Sequence, residues 1–237
     1  MKKSLPSVSV FFPCYNDEKT IGPLVRGAKK VLEKAAAKYE IIVIDDGSTD
    51  NSRGELSKLS KEIQNLRLIF HRQNKGYGGA LKSGFKAAKC DLVFYTDGDG
   101  QYDIGELKLL LPLMTDDIDV VNGIKMFRND PWYRVVIGNI YNFFVRNAFG
   151  IDINDTDCDF RLMRNSSLKK INLNCNSGAI CVELVKKLQD SGAEFRQVSV
   201  HHYSREYGSS QFFNWRRILN TGIELIRLRL ELWKMIL

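Results

Sequence analysis

The sequence predicts an α/β fold: a mostly parallel sheet with helices on both faces, followed by a C-terminal amphipathic helix. Three observations predict it. Short apolar, β-branched runs alternate with longer amphipathic stretches through the first half of the chain. The strand-like runs are apolar at nearly every position, as in parallel sheets covered on both faces. Polar, glycine-containing clusters fall where those runs end, and open α/β sheets bind their ligands at the carboxyl ends of the strands.

Val8 to Phe12 reads as the first strand, stopped by Pro13, and Ile21 to Ala37 as the helix after it. Tyr39 to Ile44 is a buried strand, Asp50 to Ser60 a helix, Leu66 to Phe70 a third strand and Gly78 to Lys89 a helix. Leu92 to Tyr95 is a strand, Ile104 to Leu113 a helix, and Val120 with Val121 opens another strand. Further on, Gly178 to Gln189 reads as a helix and Phe195 to Val200 as a strand. With 237 residues, 44% of them hydrophobic, the chain can bury one sizeable core but not two full domains. Residues 1–211 are expected to form that domain and residues 212–237 the appended helix.

The formal net charge of +7 suits anionic partners: nucleotides, phospholipids or lipid phosphates. No nucleic-acid-binding motif is present, so nucleic acid is not an expected partner. The five cysteines are scattered without a C-x-x-C pair, which fits reduced, packed thiols rather than zinc. Residues 1–9 lack the apolar run of a signal peptide, and no stretch reaches about 18 uninterrupted apolar residues. The expected location is cytoplasmic, peripheral on the inner face of the cell membrane.

Four clusters carry the chemistry. Asp97-Gly98-Asp99-Gly100-Gln101 places two carboxylates and an amide oxygen at a strand end, oxygen ligands that Mg2+ or Mn2+ prefer; the same residues also suit a plain Asp/Gly turn. Asp45 and Asp46 can accept hydrogen bonds from a base or ribose, while Thr49 or Asp50 can cap the next helix. In Pro13-Cys14-Tyr15-Asn16-Asp17-Glu18, Tyr15 can stack on a base and Asn16 and Glu18 can anchor it; acidic residues there are also favoured by the helix dipole. Asn74-Lys75-Gly76-Tyr77-Gly78-Gly79 opens a helix and can bring N–H groups to an anion. It lacks G-x-G-x-x-G spacing and follows the third strand, which excludes a nicotinamide site. A sugar nucleotidyltransferase would carry a glycine-rich basic loop after the first strand, where this chain has PCYNDE.

These motifs, VSVFFPCYNDE, VIDDGSTD, NKGYGGAL and TDGDGQYD, resemble in order and spacing the family 2 glycosyltransferases of GT-A fold. Asp157-Cys158-Asp159-Phe160-Arg161-Leu162 and the stretch His201 to Gln211 look like the dolichol-phosphate mannosyltransferase-like, or polyprenyl-phosphate glycosyltransferase, branch. The resemblance spans about Ser7 to Gln211. It implies that Pro13, Tyr15, Glu18 and Asp46 hold the nucleoside and that Asp97, Asp99 and Gln101 ligate the metal. It further implies that Arg134 and Arg205 clamp the phosphate of a polyprenyl phosphate acceptor, and that transfer is inverting. Gly138 stands where that branch often has serine, and Ser210-Gln211 replaces its Ser-Lys pair. The candidate site is therefore Asp97, Asp99, Arg205, Arg134 and Asp157 for catalysis. Pro13, Tyr15, Asn16, Glu18, Asp45, Asp46, Lys75, Gly76 and Asp97 are the candidates for the nucleotide-sugar.

Other residues admit two readings. Arg205 can close over phosphates or be a solvated loop charge. Alternation puts His201 and His202 on opposite faces, one packed and one nearer the site. Asp155, Asp157 and Asp159 can share a face as base, acceptor anchor or solvated loop, with Asp157 assigned to positioning the acceptor or an arginine. Glu183 points at the sugar pocket or lies on a helix surface. In Trp215 to Leu237, Trp215, Ile218, Leu219, Ile226, Trp233, Ile236 and Leu237 share one helical face, with Arg216, Arg217, Asn220, Glu224, Arg227, Glu231 and Lys234 opposite. Such a helix lies on an anionic membrane surface or docks on the core or a second copy of the chain. Trp132 to Phe149 is aromatic-rich and can line a lipid path. The alternatives to lipid-phosphate transfer are a hydroxyl acceptor, served by a carboxylate base, and a non-catalytic sugar-nucleotide-binding subunit.

Overall fold

The computed structural model describes residues 5–126, 132–207 and 215–234. The elements are β1 (Ser7–Cys14), α1 (Ile21–Ala35), β2 (Lys38–Asp45), α2 (Ser52–Glu62), β3 (Leu66–Phe70), α3 (Tyr77–Ala87), β4 (Leu92–Thr96), α4 (Leu107–Leu110), β5 (Val120–Met126), α5 (Trp132–Phe149), β6 (Phe160–Arg164), α6 (Asn165–Leu168), α7 (Ala179–Asp190), β7 (Phe195–His201) and α8 (Trp215–Lys234). The seven strands form one sheet in the order β3-β2-β1-β4-β6-β5-β7. Every pairing is parallel except those of β6, which is antiparallel to both β4 and β5.

Side-chain alternation divides the core. Val8, Val10 and Phe12 of β1 pack with Ile41 and Val43 of β2 and with α1 and α2 on one face. Phe11, Ile42, Ile44, Val93 and Tyr95 face α3 and α7 on the other. A third cluster joins Val145 and Phe149 of α5, Val182 and Val185 of α7, and Leu228 and Leu232 of α8. The last helix is thus docked on the body of the domain.

Four expectations need correction. Pro13 does not stop β1: the strand runs on to Cys14, Pro13 pairing Ile44 of β2. The ladder to β4 has already ended at Phe11 and Tyr95, so no partner on that side needs an N–H from Pro13. Ile104 to Leu113 is not one helix but a 3-10 turn, the short α4 and a second 3-10 turn; Pro112 cannot supply an N–H to continue the ladder. Strand β6 was not foreseen, because Arg161 and Arg164 interrupt its apolar run. Arg161 is nevertheless fully buried, donating to Asn122 Oδ1, the Tyr95 hydroxyl and the Thr156 carbonyl. In α8 the docked stripe is Leu225, Leu228 and Leu232, while the expected stripe of Trp215, Ile218, Leu219, Ile226 and Trp233 faces outward. Ile236 and Leu237 lie outside the described residues.

Candidate active site

The carboxyl ends of β1, β2 and β4 lie side by side, and the loops that follow them are laced together. Asn16 takes the left-handed conformation (φ 60°) and its Oδ1 accepts from the Thr49 and Asp50 amides at 2.8 and 3.3 Å. The Asn16 amide donates to Ser48 Oγ, that of Glu18 donates to Asp50 Oδ2, and Glu18 Oε2 accepts from the Asn51 amide. Asp50 Oδ1 also accepts from the Ser52 N–H at the start of α2; the N-cap position itself is Asn51, neither Thr49 nor Asp50, and its side chain makes no capping bond. Asn16 and Glu18 therefore spend polar groups on fastening one loop to the next.

The two acids after β2 differ. Asp45 is fully buried; Arg53 Nε lies 2.6 Å from its Oδ2, and the Ser48 amide donates to its Oδ1. Asp46 receives Nδ1 of His71 at 2.6 Å and the Lys75 amide at 2.8 Å, both on Oδ1. Its carbonyl accepts from Asn74 Nδ2, which ties the glycine-rich loop to β2. Gly76 has a φ of 81° and its backbone passes so close to the 172–178 segment that a Cβ would stand 2.5 Å from the Asn176 carbonyl. Pro13 is buried; Tyr15 is partly exposed, with the Arg217 guanidinium of α8 5.9 Å from its ring centre.

Asp97 and Asp99 project from the turn after β4. A Cβ at Gly98 would lie 2.5 Å from the Pro13 carbonyl, so the turn can press against β1 only with glycine between the two acids. Thr20 Oγ1 donates to the Gly98 carbonyl at 2.7 Å. The Tyr77 hydroxyl donates to Asp97 at 2.7 Å, and Asp99 pairs with Arg205 at 2.5 Å while accepting from the Gln101 amide. Gln101 Nε2 donates to the Tyr203 carbonyl, and its side-chain oxygen takes no hydrogen bond from the described residues. Burial, then the nearby Asp159 and Asp99, push the Asp97 carboxyl well above the usual carboxylate range. Burial pushes Asp17 up to about 6, with Asp99 adding to the rise. Negative charge here exceeds what Arg205 offsets, and carboxylate and amide oxygens are the donors a hard divalent cation takes, while among the described residues no three His, Cys, Asp or Glu close on one point.

The structure brings Asp97, Asp99, Gln101 and Arg205 to one point and adds Asp17 and Tyr77, which were not singled out from sequence. Asp157 belongs to an adjoining group. Lys125 Nζ donates to the Asp157 carbonyl at 2.6 Å and lies 3.8 Å from Asp155. Burial raises the Asp157 carboxyl to about 7 against the pull of Lys125. Asp159 accepts from the Tyr95 hydroxyl and the Cys181 thiol, behind Asp97. His201 is bonded to Glu106, and His202 is buried against Tyr102. Glu183 is neither on the surface nor in a sugar pocket. It is fully buried in α7, accepting from the Asn174 and Cys175 amides and paired with Lys187. The Arg134 side chain lies outside the described residues, as do residues 208–214.

Comparison with known proteins agrees with this architecture. The chain is similar in structure to glucosyl-3-phosphoglycerate synthase from Mycobacterium tuberculosis, solved with Mn2+, UDP and glucosyl-3-phosphoglycerate. That chain is 18% identical, with a TM-score of 0.71 over 95% of this chain and 79% of the other. Mannosyl-3-phosphoglycerate synthase from Rubrobacter xylanophilus superposes with a TM-score of 0.70 at 16% identity, over 97% and 75% of the two chains. A mannosyltransferase from Pyrobaculum calidifontis, solved with GDP-Man and Mn2+, gives 0.68 at 17% identity, over 95% and 65%. At these identities the likeness establishes the fold, GT-A. The sequence profile described as Glycosyl transferase family 2 matches residues 9–172, more than half of the chain. On that match and that fold, the chain belongs to glycosyl transferase family 2 and is a glycosyltransferase.

Proposed function

We propose that the chain transfers a sugar from a nucleotide-sugar, with inversion, to a polyprenyl phosphate at an anionic membrane surface. The observation that carries the acceptor is the outer surface of α8. Trp215, Ile218, Leu219, Ile226 and Trp233 are between 49 and 67% exposed, interleaved with the exposed Arg216, Arg217, Arg227 and Arg229. The two acids of the helix are turned onto the body: Glu224 binds the Asn176 and Ser177 amides, and Glu231 lies 3.4 Å from Lys187. Outward charge on α8 is thus basic, set among apolar groups, and Arg217 over Tyr15 puts this surface at the mouth of the crevice. Ile137, Ile140, Phe143 and Phe144 of α5 add exposed apolar area next to α7. No described helix is long and apolar enough to cross a membrane, so attachment would be interfacial.

The donor would lie across the ends of β1, β2 and β4, its nucleoside by Pro13, Tyr15, Asn16, Glu18, Asp45 and Asp46 and its phosphates by Lys75 and Gly76. Asp97, Asp99 and the Gln101 side-chain oxygen would hold Mg2+ or Mn2+. Oxygens of the nucleotide's diphosphate would supply further ligands. When bound, the cation neutralises the departing nucleoside diphosphate. Arg205 and Arg134 would take the acceptor phosphate. A phosphate is already ionised, so its oxygen attacks C1 without a base.

Asp157 supports a second reading. A buried carboxyl raised to about 7 suits a general base for a hydroxyl acceptor. The Mycobacterium tuberculosis neighbour has been solved with phosphoglyceric acid. The protein is incubated with UDP- and GDP-sugars, Mn2+ and one of three acceptors: a short polyprenyl phosphate, the matching polyprenol, or 3-phosphoglycerate. Products are identified by mass. Transfer to polyprenyl phosphate alone is expected; transfer to the polyprenol or to 3-phosphoglycerate at equal rate replaces this reading by the second.

A further inference from the structure

We infer that His71 makes the site selective for a uracil nucleotide over a guanine nucleotide, by occupying one of the two carboxylate oxygens that Asp46 can offer a base. The inference rests on the reading of Asp46 as a nucleoside contact and deepens it. The fold leaves the base open, since one structural neighbour holds UDP and another GDP-Man.

Asp46 is 3% exposed and held on all sides. Its amide donates to the Cys14 carbonyl and its own carbonyl accepts from Asn74. Its Oδ1 faces His71 Nδ1 at 2.6 Å and the Lys75 amide at 2.8 Å. An ionised carboxylate has no proton to give, so Nδ1 carries the hydrogen and donates. His71 is held from behind: it is buried, and Nε2 is 2.9 Å from the hydroxyl of Ser83 on α3, which can give it a hydrogen. The imidazole cannot turn away without breaking both contacts. Two donors therefore occupy Oδ1, while Oδ2 takes no hydrogen bond from the described residues.

Base chemistry decides what one open oxygen selects. Uracil presents a single imide N–H flanked by two carbonyls and needs one acceptor. Guanine presents its ring N–H and exocyclic amine side by side, and a carboxylate reads that pair with both oxygens. At Asp46 the second oxygen is taken, so a guanine amine would be buried without its partner, a loss of the kind that gives sites their sharpest discrimination. Cytosine and adenine place a ring acceptor beside the amine and would set a lone pair against Oδ2. His71 acts through Asp46 and is a positioning residue.

The test is calorimetric and needs neither sugar nor acceptor, so it is independent of the lipid-phosphate assignment. UDP and GDP are titrated in Mn2+ into the full chain and into His71→Ala and His71→Asn. Asparagine keeps an N–H near the place of Nδ1; alanine removes it. The unsubstituted protein is expected to bind UDP at least about tenfold more tightly than GDP, the worth of roughly one good hydrogen bond. His71→Ala is expected to narrow that ratio about fivefold or more and His71→Asn to restore most of it, a pattern that general loosening of the fold would not produce. GDP binding as tightly as UDP overturns the inference, even where the variants fail to fold. A ratio unchanged in folded His71→Ala overturns the part given to His71. Binding of neither nucleotide removes the nucleoside reading of Asp46 and the inference together.

Discussion

Asp99 already holds one cation. The guanidinium of Arg205 lies 2.5 Å from the carboxylate that would ligate the metal, so a divalent ion entering there competes with an arginine already in place. Two opposite outcomes follow. Asp99→Asn removes the anion and is expected to weaken metal-dependent UDP binding by about tenfold or more, seen by calorimetry with and without chelator. Arg205→Ala removes the competitor: Mn2+·UDP affinity is expected to hold or rise, while the Michaelis constant for polyprenyl phosphate climbs and slow donor hydrolysis persists. Arg205→Lys keeps charge without the fork and should recover only part. Asp157 gives a pH prediction. Its folded value of about 7 lies above the ordinary 3.8, so the ionised form is disfavoured in the folded state; the penalty is absent below about pH 4 and complete above about pH 7. Asp157→Asn is therefore expected to stabilise the fold at pH 8 by on the order of 2 kcal/mol and to leave it unchanged at pH 3.5, read from urea midpoints at the two pH values. The acids at strand ends were legible in the sequence because glycines and buried strands framed them. Asp17, Tyr77 and His71 were not, because their roles depend on partners 20 to 82 positions away: Asp97 for Tyr77, Asp46 for His71, Asp99 for Asp17. Glu183 shows the converse: a side chain that suits a ligand site by type is held by Lys187.

Helix α8 carries two apolar stripes, and its 3.6-residue period could not say which would dock. The buried stripe holds the helix and the exposed one is left for a surface, so substitutions on them should separate cleanly. Leu228→Ala and Leu232→Ala are expected to cost about 2–4 kcal/mol each in chemical denaturation. Ile226→Ala and Trp233→Ala should change stability by less than about 0.5 kcal/mol, yet together lower affinity for anionic vesicles about tenfold or more. Neutral vesicles or high salt should mimic much of that loss, because the flanking arginines act through a screened field. If both exposed variants float with anionic vesicles as the unsubstituted chain does, the stripe is not a lipid contact; concentration-dependent self-association that they abolish would assign it to a second copy. Removing the whole helix is a poorer test, since it would also uncover Val145, Phe149, Val182 and Val185. Elsewhere, strand runs such as Leu66–Phe70 were legible to the residue, while the 104–113 segment was over-read because its apolar spacing outweighed Pro112.

For the whole molecule, the alternation of runs made the parallel half of the sheet legible, from β3 across to β4. The other half was not, because β6 hides a buried arginine that donates to Tyr95, Asn122 and Thr156 on three separate segments. The strand order also governs how the chain can assemble as it is made. Strands β1 to β4 are mutual neighbours and can close into a half-sheet once Thr96 has left the ribosome. Strand β5 comes next and has nothing to join: both of its neighbours, β6 and β7, lie later in the chain. Between the emergence of Met126 and that of Arg164, the nascent protein therefore carries a finished half-sheet and an orphan strand with both edges open. Unpaired edges of this kind recruit other strands. Ribosome-stalled chains of that length are expected to show the strongest capture by a holdase chaperone, with release once Phe160–Arg164 slots antiparallel between its two neighbours.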